Sequence, residues 1–127
     1  MKRKYLNKEE IKLFEDGKYD YLDFEVVKKN FKDEKNINFL RGYLPESLKL
    51  NKIKKISWLS IDLNSAKPTI SVLKHFYKKI EKGGIIILDD YGGSGYVETK
   101  KAVDIFFRKK NSIIFQLPTG QAIIIKR

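Results

Sequence analysis

Three aspartates and one asparagine give this sequence its most distinctive chemistry. Asp62 and Asn64 follow one apolar run, and Asp89 and Asp90 follow a second, with a helix-like stretch between the two runs. In an α/β sheet the carboxyl ends of the strands form the rim where ligands bind. We therefore expect these side chains to converge at one edge, where they could hold a cation or a polar substrate.

The apolar pattern around these residues predicts an α/β fold. The runs at 55–62 and 85–89 are nearly continuous, which is typical of strands buried on both faces of a parallel sheet. Between them the spacing predicts a helix from Pro68 to residue 82, stopped by two glycines. A short turn predicts a C-terminal antiparallel hairpin. The remaining predicted segments are helices at 8–14, 23–32 and 96–110, one short turn at 44–48, and strands at 37–42, 112–117 and 122–126.

Composition restricts the class of protein. The 127 residues correspond to a single domain, 42% hydrophobic, with no apolar run near the roughly 18 residues that span a bilayer. The basic N-terminus has no apolar stretch behind it, so we predict no secretory signal. Cysteine is absent, which excludes disulfides and is compatible with a reducing cytoplasm. We therefore predict a cytoplasmic protein without a membrane partner.

A formal net charge of +11 is a property that proteins binding nucleic acid often share, because a basic surface attracts phosphate. Most of the basic residues are lysines, whereas bidentate phosphate and base recognition favours arginine. The lysines are also spread over every segment instead of gathering on one element. We interpret the charge as a solvated basic surface and predict no specific nucleic-acid partner.

Four blocks resemble, in order and spacing, the C-terminal half of class I S-adenosylmethionine-dependent methyltransferases, and among them the macrocin O-methyltransferase (TylF-like) family. The blocks are residues 41–48, 61–68, 83–92 and 117–121. The resemblance implies a partial Rossmann-like sheet, mostly parallel with a C-terminal antiparallel hairpin. It also implies a single domain that lacks the N-terminal cofactor-binding half, because the family's glycine-rich loop after its first strand has no counterpart here.

The superfamily's strand order predicts how the sheet is arranged. It places 121–126 antiparallel between 85–89 and 112–117, with 55–62 on the other side of 85–89. The strand at 37–42 must then dock beside 55–62 or leave the sheet. Otherwise 55–62 exposes an unpaired edge, which favours self-association or poor solubility.

The resemblance also implies roles for individual residues. The positions of Asp62, Asp89 and Asp90 hold a divalent cation in the family, commonly magnesium, which suits an oxygen-rich site. Many relatives carry an acid where this chain has Asn64, and an asparagine accepts no proton at neutral pH. Gly42 and Tyr43, together with Asp62, are the implied cofactor contacts for S-adenosylmethionine, with Tyr43 equally open to packing. With the glycine-rich loop missing, we expect no measurable S-adenosylmethionine binding by this chain alone.

Simpler interpretations remain open for the same residues. Asp62 could cap the following helix, and the two tandem acids could form a solvated turn. His75, the single histidine, lies mid-helix and is interpreted as a surface or packing residue. The glycine-rich run 92–95 lacks phosphate-loop spacing and is interpreted as a rim loop. The large aromatics at helical or strand spacing are assigned to the core: Trp58, Tyr77, Phe106 and Phe107.

Three classes of function follow. The first is an O-methyltransferase acting on a sugar or small natural-product hydroxyl, in a truncated form. The second is an inactive methyltransferase-fold domain that acts through a partner or by self-association. The third is a basic nucleic-acid-binding module, which requires lysines clustered on one face.

Overall fold

The computed structural model describes residues 11–12, 15–16, 23–110 and 112–127. Its contacts divide the chain into two units, Met1–Asn51 and Lys52–Arg127. The prediction of a single domain stays a prediction. No helix in the described ranges has both the length and the apolar character needed to cross a membrane.

The first unit contains the seven-residue helix α1 (Phe24–Asn30). Asp23 caps it by accepting hydrogen bonds from the backbone N–H groups of Glu25 (2.7 Å) and Val26 (3.1 Å), which satisfies two donors that the first turn leaves unpaired. The helix thus confirms the prediction at 23–32. Of the helix predicted at 8–14, positions 11 and 12 are helical and the other positions lie outside the described residues. Glu15, just beyond the predicted end, is also helical.

The strand predicted at 37–42 is wrong, because this segment has no regular secondary structure. A strand is stable only when its backbone groups are paired, and no ladder in the described part of the chain includes it. Phe39 instead packs its ring edge-on against Phe24 and tilted against Phe31, with centroids 6.2 and 6.0 Å away. After a cis peptide bond between Leu44 and Pro45, a 3₁₀ helix (Glu46–Leu50) replaces the short turn predicted at 44–48.

The second unit is a four-stranded mixed sheet with two helices. In chain order it consists of β1 (Ile56–Ile61), α2 (Ala66–Phe76), β2 (Ile80–Leu88), α3 (Val97–Phe107), β3 (Ser112–Gln116) and β4 (Ala122–Lys126). The strand order is β1-β2-β4-β3, with β1 and β2 parallel and both pairs made by β4 antiparallel. This confirms the α/β class, the C-terminal hairpin and the predicted insertion of β4 between β2 and β3.

One face of this sheet forms the core. Ile86 and Leu88 of β2 lie beside Ile124 and Ala122 of β4 in the antiparallel register, and all four are at most 1% exposed. The helices α2 and α3 pack on each other, and their buried side chains complete the core with Val72, Leu73, Phe76, Val103 and Phe107.

The other face is less covered, which corrects two expectations. Trp58, assigned to the core by its spacing, is 60% exposed, and β1 is not buried on both faces. The cause is that Trp58 pairs with Ile85, on the face opposite the buried Ile86 and Leu88. In addition, β1 is an edge strand of the described sheet and has a strand neighbour on one side only. Tyr77, Phe106 and Phe107 do pack together, with ring centroids 5.0 to 5.7 Å apart.

The helix after β1 ends earlier than predicted. It stops at Phe76, a 3₁₀ turn (Tyr77–Lys79) follows, and β2 starts at Ile80. Ile80 pairs with Ile56, but the next paired residues are Ile85 and Trp58, so β2 bulges in between. The two glycines therefore belong to the strand, where Gly83 takes a left-handed φ of 79° that favours glycine.

Candidate functional site

The three acidic residues predicted at the sheet rim lie together. Asp62 directly follows β1 and the Asp89-Asp90 pair directly follows β2. Because these strands are parallel, their carboxyl ends meet at one edge, and the backbone N–H of Asp89 donates to Ile61 O over 3.0 Å. One carboxylate oxygen of each aspartate lies within 4.8 Å of the others. Such a set of hard oxygen donors suits magnesium, which is held by a few carboxylates plus water.

The electrostatics of Asp62 reflect this crowding. Partial burial raises the pKa of the Asp62 carboxyl above its ordinary value, and the neighbouring charges of Asp90 and Asp89 raise it further. Carboxylates that repel one another without a counter-charge are stabilised by a bound cation. Asp62 is not the cap of α2, because Ser65 occupies that position. Asp90 is only 6% exposed, so the solvated-turn interpretation is wrong for it.

Asn64 is tied to the acid cluster. Its backbone N–H donates to Asp90 Oδ2 over 2.6 Å, and its side-chain oxygen Oδ1 accepts a hydrogen bond from the Tyr96 hydroxyl over 2.8 Å. Asn64 has a φ of 51°, in the left-handed region where asparagine is tolerated better than most residues. Its local conformation therefore directs the backbone N–H at a buried carboxylate.

Gln121 supports the other tandem acid. Its side-chain Nε2 donates to Asp89 Oδ1 over 2.8 Å. Sequence reasoning assigned no role to Gln121 or Tyr96. The available signals were their positions: Gln121 ends the block 117–121, and Tyr96 directly follows the glycine-rich run 92–95, just before α3.

A buried tyrosine anchors the segment that follows the acids. Tyr91 is 3% exposed and donates a hydrogen bond to Asp104 over 2.5 Å, while Lys100 reaches both residues with Nζ at 2.9 Å. Burial raises the pKa of the Asp104 carboxyl, but the hydrogen bonds from Tyr91 and Lys100 outweigh burial, so that pKa lies below its ordinary value. The i,i+4 spacing of Lys100 and Asp104 is the sequence signal that could have indicated this contact.

The predicted cofactor residues Gly42 and Tyr43 line a cleft of about 240 Å³ in the first unit, together with Glu46, Ser47 and Leu50. The Tyr43 side chain is 48% exposed. Gly42 also has a packing reason to be glycine, since a Cβ there would lie 2.6 Å from Ser47 Cβ. The assignment of both residues to S-adenosylmethionine stays a prediction.

The other candidate residues fall into packing positions. His75 lies within α2 with its ring edge-on to Phe76, at 4.7 Å between centroids, and with Nε2 at 3.4 Å from Lys79 Nζ. This arrangement agrees with the packing interpretation. Residues 92–93 form a bend, and a 3₁₀ turn (Ser94–Tyr96) leads into α3.

Comparisons with known proteins show the family and the fold to which this chain is similar. The family model described as Macrocin-O-methyltransferase (TylF) matches residues 4–119. No curated protein matches the sequence. Among solved structures, the chain is similar to the O-methyltransferase NovP, with a TM-score of 0.71 and 24% identity over 82% of this chain and 45% of that one.

A second similar structure is that of CalS11, described as a TDP-rhamnose 3'-O-methyltransferase in calicheamicin biosynthesis. Its TM-score is 0.54, with 21% identity over 69% of this chain and 39% of that one. At these identities the two structures support the fold alone. The chain spans less than half the length of either protein.

Proposed function

Because the chain belongs to the macrocin O-methyltransferase (TylF) family, we propose that it is an O-methyltransferase polypeptide acting on a hydroxyl of a sugar or small natural product. The observation that carries the proposal is the convergence of Asp62, Asp89 and Asp90 beside Asn64 at the carboxyl edge of β1 and β2. When bound, S-adenosylmethionine would supply the methyl group. The acceptor is the proposed small-molecule partner.

The three aspartates are the proposed ligands of a divalent cation, with magnesium favoured by the all-oxygen donor set. A cation at this position would lower the pKa of an acceptor hydroxyl. The raised pKa of the Asp62 carboxyl, caused by burial and by the two neighbouring acids, supports the proposal because a cation relieves the same repulsion.

Asn64 is the proposed catalytic-site residue at the position where many relatives carry an acid. It accepts no proton, and its Oδ1 already accepts the hydrogen bond from Tyr96. The second lone pair of Oδ1 stays available to a cation or a donor, and the amide N–H₂ can donate. In this proposal Asn64 orients the acceptor oxygen by donating to it. The hydroxyl proton passes to solvent water, because the amide of residue 64 cannot accept it.

Gly42 and Tyr43 are the cofactor contacts that we propose in the first unit, and Asp62 is proposed by itself in the second unit. The half-exposed ring of Tyr43 offers a flat apolar surface of the kind on which an adenine stacks. Glu46 in the same cleft adds a carboxylate that could accept a hydrogen bond.

A second candidate function is an inactive methyltransferase-fold domain that acts through a partner or by self-association. The observation that favours it is the edge strand β1, which carries the exposed Trp58 and has no strand neighbour on one side among the described residues. Such an edge is a template for pairing with another chain.

One experiment separates the two. The protein is purified intact from its own cells through a C-terminal tag, with whatever accompanies it, and is incubated with methyl-labelled S-adenosylmethionine, magnesium and a panel of nucleotide sugars and phenols. Label transfer that stops on chelation of the cation and in Asp89→Asn supports the methyltransferase. No transfer to any acceptor, from a sample that folds normally, favours the second candidate.

A further inference from the structure

The turn between β3 and β4 contacts the segment that carries the tandem acids. Gly120 O accepts hydrogen bonds from the backbone N–H groups of Tyr91 (3.3 Å) and Gly92 (2.5 Å). The approach is close: Gly120 has a φ of 94°, and a Cβ there would lie 3.2 Å from Gly93 N. The turn therefore supports the residues immediately after Asp90.

The same turn reaches Asp89 through one side chain. Gln121 Nε2 donates to Asp89 Oδ1 over 2.8 Å. An amide group could equally present its oxygen to a neighbour, which would repel a carboxylate. The Thr119 hydroxyl donates to Gln121 Oε1 over 2.6 Å, so this bond holds the amide with its nitrogen toward Asp89.

In each of the tandem acids, Asp89 and Asp90, a hydrogen bond from the protein holds one of the two carboxylate oxygens. Asp89 Oδ1 is held by Gln121 and Asp90 Oδ2 by the backbone of Asn64. In the described part of the chain, no hydrogen-bond donor reaches the second oxygen of either carboxylate. Partners that fix one oxygen of a ligating carboxylate set the direction in which the other points.

We propose that the β3–β4 turn is a positioning element of the cation site, in which Thr119 orients the Gln121 amide and Gln121 sets the Asp89 carboxylate. This inference rests on the cation site of the proposed function. Gln121 is a positioning residue because it acts through Asp89.

The test measures the binding of Mn²⁺ to the chain. The concentration of unbound Mn²⁺ is read from its electron paramagnetic resonance signal. Mn²⁺ is used because it accepts the same oxygen ligands as magnesium. Gln121→Leu keeps the approximate size and removes the amide, and we expect it to weaken binding about 10-fold, at the lower end for supporting residues. Thr119→Val is expected to weaken binding less, and Thr119→Ser, which keeps the hydroxyl, to bind as the unsubstituted chain does.

The matched control is Gln116→Leu. Gln116 packs beside Gly92 in the same region, and no hydrogen bond to an acid of the cluster is found for it among the described residues. Melting temperatures of all variants separate lost positioning from lost folding, and the conservative threonine pair remains informative if Gln121→Leu is unstable.

The outcomes distinguish this inference from the proposed function. If Asp89→Asn abolishes Mn²⁺ binding but Gln121→Leu and Thr119→Val leave it unchanged, the cation site stands and the positioning role is overturned. Equal losses in Gln121→Leu and Gln116→Leu also overturn the positioning role. An unsubstituted chain that binds no Mn²⁺ overturns the cation site and, with it, this inference.

Discussion

The Tyr96 hydroxyl donates a hydrogen bond to Asn64 Oδ1 over 2.8 Å, joining the start of α3 to the segment after β1. The backbone N–H of the same asparagine donates to the buried carboxylate of Asp90. Asn64 thus connects an aromatic residue on one element to an acid on another. Tyr96 occupies one lone pair of the side-chain oxygen, so the amide hydrogens and the second lone pair are the groups available to a ligand.

The left-handed backbone of Asn64 predicts a specific order of stability. Asn64→Gly and Asn64→Ala both lose the hydrogen bond from Tyr96, but only alanine is strained at a φ of 51°. We expect Asn64→Ala to be less stable than Asn64→Gly by about 1 kcal/mol, the cost of left-handed backbone for a residue with a Cβ. Urea unfolding of both variants measures the difference, and equal stabilities would contradict the role of the backbone.

Adding an acid at position 64 tests the charge of the cluster. Asn64→Asp would place a fourth carboxylate beside three others, and we expect it to destabilise the cation-free chain by about 1 kcal/mol, the size of one close repulsion in water. Magnesium should raise its melting temperature more than that of the unsubstituted chain. Asn30→Asp, an exposed change of the same charge at the end of α1, is the control.

The raised pKa of the Asp62 carboxyl predicts a pH-dependent effect of Asp62→Asn. The cause of the shift is burial, followed by repulsion from Asp90 and Asp89. A carboxyl whose pKa is higher in the folded state destabilises the fold when it is ionised, so its cost is present at neutral pH.

Without a cation, Asp62→Asn should therefore be more stable than the unsubstituted chain at pH 7. The advantage should shrink as the pH falls through the folded pKa toward the ordinary value of 3.8, where the carboxyl is protonated in both states. Thermal melts at a series of pH values, with a chelator present, measure this difference. An advantage that does not change with pH would contradict the assignment.

The Tyr91–Asp104 hydrogen bond predicts a pH dependence of stability that is opposite to the one expected for Asp62. The pKa of the Asp104 carboxyl is lowered because hydrogen bonds from Tyr91 and Lys100 outweigh its burial. Its contribution to stability is present above the ordinary pKa and is lost as the pH falls through the lowered, folded value.

Tyr91→Phe removes the hydrogen bond to Asp104. We expect the free energy of unfolding at pH 7 to fall by about 1 kcal/mol, which is typical of one hydrogen bond. The loss should become smaller in acid. Tyr77→Phe is the matched control, since the Tyr77 hydroxyl contacts the uncharged Ser112 hydroxyl at 2.9 Å and its loss should not depend on acid pH. Urea unfolding at pH 7 and pH 3 measures both.

The edge of β1 predicts self-association. Trp58 is 60% exposed, and the segment 37–42 does not pair with this strand. A lysine on an edge strand opposes pairing with another chain. We expect the unsubstituted chain to sediment partly as dimers or larger species and Trp58→Lys to shift it toward monomer.

Ile105→Lys, on the exposed side of α3 where Ile105 is 63% exposed, is the control for an added charge. A clean monomer at every concentration, or an equal shift in both variants, would contradict association through β1. Sedimentation velocity at several concentrations decides between these outcomes.

Sequence by itself determined the elements that carry strong periodicity. The apolar runs ending at Asp62 and Asp89 predicted two parallel strands, and the order of elements together with the family resemblance predicted the position of β4 between β2 and β3. These predictions succeeded because residue type alone marks a buried strand and the acid at its end. Parallel pairing then brings the two acids to one edge without further information.

The tertiary structure decided the features that depend on which residues are neighbours in space. The segment 37–42 has strand-like residues but no strand, because it lacks a partner in the described sheet. Trp58 is exposed because it lies on the less covered face of the edge strand β1. The contacts of Gln121 with Asp89 and of Tyr96 with Asn64 each join residues 32 positions apart. Local sequence carries no signal for such pairs, because a hydrogen bond between distant residues exists only after the backbone has brought them together.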